Sequence, residues 1–210
     1  MNNSNPFPSK ITQTGYQRIS GSCSDSDTVV VASGTLTRSV ALVAVPTNGA
    51  GLNFFLTYNS QIYSGGSPGP VGHKWVHNWT MNLVGTGTGV VTFISELGVI
   101  YNFESVVGGY ELDKSTSYFA PVTLTNPSSG IWLVKVNPDG VTYEFNNDGL
   151  LQSVTTADSV AQVATYSSGK LITIEETTGG RQIQLGYTGD FITSVTDPNS
   201  NETTLEFDED

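Results

Sequence analysis

The sequence of 210 residues has one cysteine, Cys23, so no intrachain disulfide forms and the core must be held by packing and strand pairing. Cys23 sits in a Ser/Asp-rich segment with no Lys, Arg or His beside it to lower its pKa, and it reads as an exposed, unreactive thiol. Basic residues are scarce: 8 Lys and Arg against 19 Asp and Glu leave a net charge of -11. Such a surface repels phosphate backbones and anionic lipids, and the scattered cations make no basic stripe, which excludes nucleic-acid binding of the usual kind. Charged residues are only 13% of the chain, too few to clothe exposed amphipathic helices, and no convincing helix is found. No apolar run approaches the ~20 residues of a membrane span. The polar N-terminus also lacks the apolar core of a signal peptide, so a secreted or cell-surface location would require a signal outside this sequence or a route that needs none.

What the sequence does hold is turn formers and strand formers. Gly 23, nine Tyr and nine Phe, with abundant Thr, Ser and Val, suit short strands joined by tight turns in a β-rich protein of one or two domains. In the last third, aromatic residues recur at nearly constant spacing: Phe145, Tyr166, Tyr187 and Phe207, at steps of 21, 21 and 20. A glycine follows two of them closely (Gly149, Gly169), and an aliphatic follows each glycine by five (Val154, Ile174). A fixed period of this kind marks a repeat architecture, in which each unit buries its apolar face only by stacking on its neighbours.

Alternation within the units indicates strands. Ile183, Leu185 and Tyr187 take every second place, alternating with polar Gln182 and Gln184, and Val141, Tyr143, Phe145 and Thr203, Leu205, Phe207 repeat the pattern. The unit around Tyr166 is less regular, because Val163 falls off the parity shared by Ala164 and Tyr166. Turn formers lie between: Pro138-Asp139-Gly140, Asn146-Asn147-Asp148-Gly149, Ser167-Ser168-Gly169, Gly179-Gly180 and Asp197-Pro198-Asn199. Each repeat therefore reads as two short strands with tight turns.

The run Asp139-Gly140-Val141-Thr142-Tyr143-Glu144-Phe145-Asn146-Asn147-Asp148-Gly149-Leu150-Leu151-Gln152-Ser153-Val154-Thr155 resembles a unit of the Rhs/YD-repeat family. Later units depart from the family's aspartate after the aromatic, with Ser167 and Thr188 in its place until Asp208. Upstream, Thr57-Tyr58-Asn59-Ser60 and Gly69-Pro70-Val71-Gly72-His73-Lys74-Trp75-Val76-His77-Asn78 are similar to the segment that precedes the repeats in that family, with Lys74 where a glycine is usual. The resemblance covers residues 29 to 208. It implies a hollow shell wound from many repeats around a toxin or effector segment. About three and a half repeats are too few to close a shell, so what is implied here is its N-terminal part, without autoproteolysis or toxicity.

The expected fold is all-β: a flexible arm over 1–28, a β-sandwich-like cap over 29–136, and stacked antiparallel repeat hairpins over 137–210 forming one curved sheet. Gly85-Thr86-Gly87-Thr88-Gly89 reads as the turn of a hairpin within the cap. The cap's role would be to cover the first edge of the repeat sheet, since an exposed strand edge invites pairing with another chain. The last unit stops just after Phe207, and an open edge is expected there, available to further repeats or to a C-terminal effector segment.

Catalytic patterns fare less well. Gly65-Gly66-Ser67-Pro68-Gly69 matches G-x-S-x-G, but Pro68 has no N–H to offer an oxyanion and the strand and helix of a nucleophile elbow are missing. His73 and His77 in an extended segment would stand ~13 Å apart, too far to share one metal ion. Among Glu96, Glu104, Glu111, Glu144 and Glu206, spacing singles out no pair at glycosidase separation. The Asp/Asn clusters complete no calcium loop, and Gly85 to Gly89 has neither the lysine nor the helix start of a phosphate cradle. The reading is therefore a non-enzymatic structural module with no catalytic, cofactor or metal residues and no cofactor, whose repeat-core aromatics are Phe145, Tyr166, Tyr187 and Phe207. The alternative is an extracellular adhesion or carbohydrate-binding module, with cell-surface glycans stacked on Trp75, Trp79, Tyr58 and Tyr63.

Overall fold

Alternation decides the strands. In Leu52–Asn59, Leu52, Phe54 and Leu56 are fully buried while Asn53 and Phe55 between them are only partly so, the two-residue period of a strand with one face against a core. The computed structural model describes residues 8–14, 26–30, 35–46, 51–62, 69–114, 121–136 and 140–207, with side chains from residue 36 onward. The chain is all-β.

In chain order the strands are β1 (Pro8–Thr14), β2 (Ser26–Val30), β3 (Thr35–Val45), β4 (Leu52–Asn59), β5 (Trp75–His77) and β6 (Asn82–Val84). Then follow β7 (Val90–Ile94), β8 (Ile100–Val106), β9 (Gly109–Leu112), β10 (Val122–Ser128), β11 (Ile131–Val136) and β12 (Val141–Phe145). The last are β13 (Leu151–Thr155), β14 (Ala161–Ser167), β15 (Lys170–Glu176), β16 (Arg181–Thr188), β17 (Phe191–Thr196) and β18 (Glu202–Phe207). They form two four-stranded sheets, β2-β3-β4-β5 and β6-β7-β8-β9, and one large sheet in which β10 to β18 lie in chain order with β1 added beyond β18. All pairings are antiparallel, and the large sheet does not close on itself. Turn glycines make the β6–β7 hairpin, with Gly85 at φ 80° and Gly87 at φ 88°.

One hydrophobic cluster runs through all three sheets, from Leu52, Phe54 and Leu56 through Val91, Phe93 and Phe103 to Phe145, Ile174, Ile183, Ile192 and Val195. The cap thus lies on the apolar face of the repeat sheet. Its strand β9 lies close to β10, the first strand of the large sheet, without joining that sheet's ladder.

Three features differ from the sequence expectation. The arm over 1–28 contributes β1 and the start of β2. The large sheet takes in β10 and β11, so the last two strands of the stretch read as cap belong to the repeat side. The edge expected to be open after Phe207 is occupied, because β1 pairs with β18 from Pro8↔Phe207 to Thr14↔Glu202. A strand edge with unpaired N–H and C=O groups is satisfied by any extended segment within reach, and the N-terminal segment reaches it.

Candidate functional site

The chemistry of this molecule is concentrated on the apolar face of the repeat sheet and at that sheet's edges. Each repeat pairs an aromatic strand (β12, β14, β16) with a return strand (β13, β15, β17) in the same register. Phe145 faces Leu151, Tyr166 faces Leu171 and Tyr187 faces Ile192. In every case one residue of the return strand, Gln152, Ile172 or Thr193, is left over as a bulge beside the aromatic. Two residues earlier, Tyr143 faces Val154, Ala164 faces Ile174 and Leu185 faces Val195. The period-two alternation then puts Phe145, Tyr166, Tyr187 and Phe207 on one face, where Phe145 is fully buried and the other three pack against the core.

The two tyrosines do more than fill space. Tyr166 Oη donates to the Leu151 carbonyl at 2.8 Å and Tyr187 Oη to the Leu171 carbonyl at 2.9 Å, so each ring is tied to the return strand of the preceding repeat at the equivalent residue. Burial raises the pKa of both hydroxyls to about 12, with a smaller contribution at Tyr166 from Tyr187. Phe207 has no hydroxyl and instead meets Phe191 with ring centroids 4.9 Å apart. At the other end Phe145 and Tyr143 take the edge and face of Phe93 from β7, at 5.9 Å and 6.3 Å.

The cap is fastened to the repeats mostly through backbone groups of turns. Leu83 N–H donates to the Gly149 carbonyl at 3.0 Å, and Ile192 N–H to the Pro70 carbonyl at 2.7 Å. Gln162 Nε2 donates to the Gly51 carbonyl at 3.1 Å, and Thr86 Oγ1 to the Asn147 carbonyl at 2.6 Å. Arg181 joins three elements: Nη2 and Nε meet Glu176 Oε2 at 2.8 and 3.0 Å, and Nη1 reaches the Pro46 carbonyl at 2.9 Å. Glu176 is buried, and its ion pair with Arg181, within the β15–β16 pair, holds the guanidinium where its third nitrogen reaches the cap at Pro46. The Pro70 contact brings together the two sequence segments, Gly69 to Asn78 and the repeats, that carry the family resemblance.

The aromatic platform expected for sugars is split up. Trp79 is 4% exposed and packed in the core, so it offers no ring face to a pyranose. Tyr58 and Trp75 remain partly exposed, with ring centroids 5.5 Å apart at 57°. Trp75 Nε1 is buried without a hydrogen-bond partner. Tyr63 lies outside the described residues, as do Ser67, Pro68 and Cys23.

His77 is buried and stacks on Phe54 at 5.2 Å, its Nδ1 accepting the Trp79 N–H at 3.2 Å. Burial lowers its pKa to about 3, so the ring stays neutral. Among the described residues no group of three or more His, Cys, Asp and Glu is placed to hold a metal ion. Of the five glutamates weighed as catalytic carboxylates, only Glu104 and Glu111 stand opposite each other, both exposed on β8 and β9.

The roles of the tyrosine hydroxyls and of Arg181 escaped the sequence reading. A signal for the first was present, in that aromatic positions carrying a hydroxyl alternate with Phe only at the ends of the series. Comparison with known proteins adds one match. The model of a domain of unknown function, DUF6531, matches residues 26–103, from β2 into β8 and short of every repeat aromatic. No curated protein matches the chain.

Proposed function

We propose that this chain is a non-enzymatic structural module, the N-terminal part of an Rhs/YD-repeat shell that encloses or presents a toxin or effector segment. The observation that carries this reading is the recurrence of one hairpin three times, with the same register, the same bulge and, in two of the three, the same hydroxyl-to-carbonyl bond to the unit before. Such a unit stacks indefinitely, because each hairpin offers its successor the contacts that it received from its predecessor. The cap packs Phe93 against Phe145 and Tyr143 of the first repeat, which suits a starting element. The test is limited proteolysis of the native polypeptide that carries this chain. A segment downstream of the repeats should resist cleavage while the shell is intact and be cut rapidly once it is opened. Equal cleavage in both states would refute enclosure.

A second reading, carbohydrate binding, is favoured by the partly exposed Tyr58–Trp75 pair. It predicts saturable binding of cell-wall glycans that Trp75→Ala abolishes without unfolding the chain. Titration with no heat and no fluorescence change rules it out.

A further inference from the structure

Strand β1 has the register of a return strand. Where Phe145, Tyr166 and Tyr187 face Leu151, Leu171 and Ile192, Phe207 faces Pro8. Where Gln152, Ile172 and Thr193 are the left-over bulge residues, Ser9 is left over in β1, between Pro8 and Lys10. Ile11 faces Leu205 as Val154, Ile174 and Val195 face their partners, all β-branched aliphatics, and Thr12 faces Thr204 in the place of Thr155, Glu175 and Thr196. Five successive positions correspond, direction included, although the segment comes from the opposite end of the sequence.

The differences fall where a terminating strand needs them. Pro8 has no N–H for a further ladder, and the register position opposite Glu206 is taken by a lysine, Lys10. β18 has no proline, and its Thr203, Leu205 and Phe207 alternate as Val141, Tyr143 and Phe145 do in the inner strand β12.

We propose that β1 is a stand-in return strand: it fills the place that β18 offers to the strand of a following repeat, and it yields that place when such a strand is joined to the chain. A covalent successor would reach β18 through a turn as short as those after β12, β14 and β16, against the eleven residues between Thr14 and Ser26. Loop-closure scaling favours the shorter connection several-fold, and the successor also supplies an aliphatic side chain where β1 has Pro8. The partner that fits this edge is therefore an extended strand with an aliphatic residue facing Phe207, one bulge residue, and a β-branched aliphatic facing Leu205. The source of that strand, a further repeat, rests on the shell reading; the strand mimicry does not.

Two full-length variants test it by amide hydrogen exchange. In the first, Thr188–Phe207 is repeated after Phe207; β1 amides should exchange about ten-fold faster or more than in the parent chain while β18 amides keep their protection. In the second, β1 is given the β17 sequence by Pro8→Ile, Ser9→Thr, Lys10→Ser and Ile11→Val; protection of β18 should be kept or strengthened. A folded added repeat alongside an undiminished β1, or a grafted β1 that leaves β18 unprotected, overturns the proposal. If the added repeat shows no protection of its own, the graft decides alone. A polypeptide found to carry no further repeats would remove the shell reading and leave the graft result standing.

Discussion

The Tyr187 hydroxyl is hydrogen-bonded to the carbonyl of Leu171, 2.9 Å away in the return strand of the preceding repeat. Tyr166 makes the same bond to Leu151 one unit earlier, so the contact belongs to the repeat and not to a particular pair. It gives the stack a polar fastening inside an otherwise apolar face. Tyr187→Phe and Tyr166→Phe should each lower stability by about 1 kcal/mol, the net value of one such bond, and reduce Tm by roughly 2–4 °C for a chain of this size. Thermal unfolding followed by circular dichroism measures this.

The same two hydroxyls set an alkaline limit. Their folded-state pKa is about 12 against the ordinary 10, because burial disfavours the phenolate. Between those values the unfolded chain has released protons that the folded chain still holds, so stability falls with rising pH across the window and is fully present below 10. Urea titrations from pH 9 to 12 should show this fall, and it should shrink in the Tyr166→Phe, Tyr187→Phe double variant. An undiminished slope would mean that other groups carry it.

His77 works in the opposite range. Its ring is kept neutral by burial, with the pKa lowered from 6.5 to about 3. Below 6.5 the unfolded chain takes up a proton that the folded chain refuses, so this contribution to stability is lost as pH falls from 6.5 toward 3. Asn retains an acceptor for the Trp79 N–H but does not titrate. His77→Asn should be less stable at neutral pH, through loss of the Phe54 contact, and should show a flatter acid limb in denaturant titrations.

Gly149 and Gly169 separate two causes of the same sequence signal. Both have positive φ, 77° and 78°, which costs an L-residue about 1–2 kcal/mol. A Cβ at Gly169 would meet nothing, whereas at Gly149 it would run into the Leu83 carbonyl, the point where β6 of the cap docks on the first repeat. Gly169→Ala should therefore cost the conformational term alone. Gly149→Ala should cost a further ~1–3 kcal/mol for the forced backbone shift and loosen the cap, read as faster exchange of the Leu83 amide. Equal losses at the two sites would mean that β6 moves aside freely.

The repeat hairpins were legible because their strands alternate locally and their turns carry Gly, Asn or Asp. Val163, off parity in the sequence, is exposed on its strand, which shows how closely alternation tracks the face. What was not legible depends on residues far apart in the chain. β1 lies in a polar, proline-containing segment whose alternation is too faint to announce a strand, and its pairing is imposed by the edge of β18 at the other end of the sequence. β10 contains Asn126-Pro127-Ser128, which by local chemistry is a turn; the strand continues through it only with a break in register against β11, at Asn126 and Pro127. Trp79 could have been a binding face or a core anchor, and only tertiary packing decides between the two.

Glu176 offers the sharpest test of how repeat and cap are locked. Its carboxylate is buried beside Arg181, which is itself about a third exposed and holds the Pro46 carbonyl of the cap with its remaining nitrogen. Removing the cation leaves a buried charge without its partner, so Arg181→Met should cost about 3 kcal/mol, toward the lower end for buried pairs because solvent reaches the guanidinium. Glu176→Gln together with Arg181→Met removes charge and partner at once and should recover much of that loss. A double-mutant cycle on unfolding free energies measures the coupling. If the double variant is no more stable than Arg181→Met alone, the buried carboxylate gains nothing from its partner.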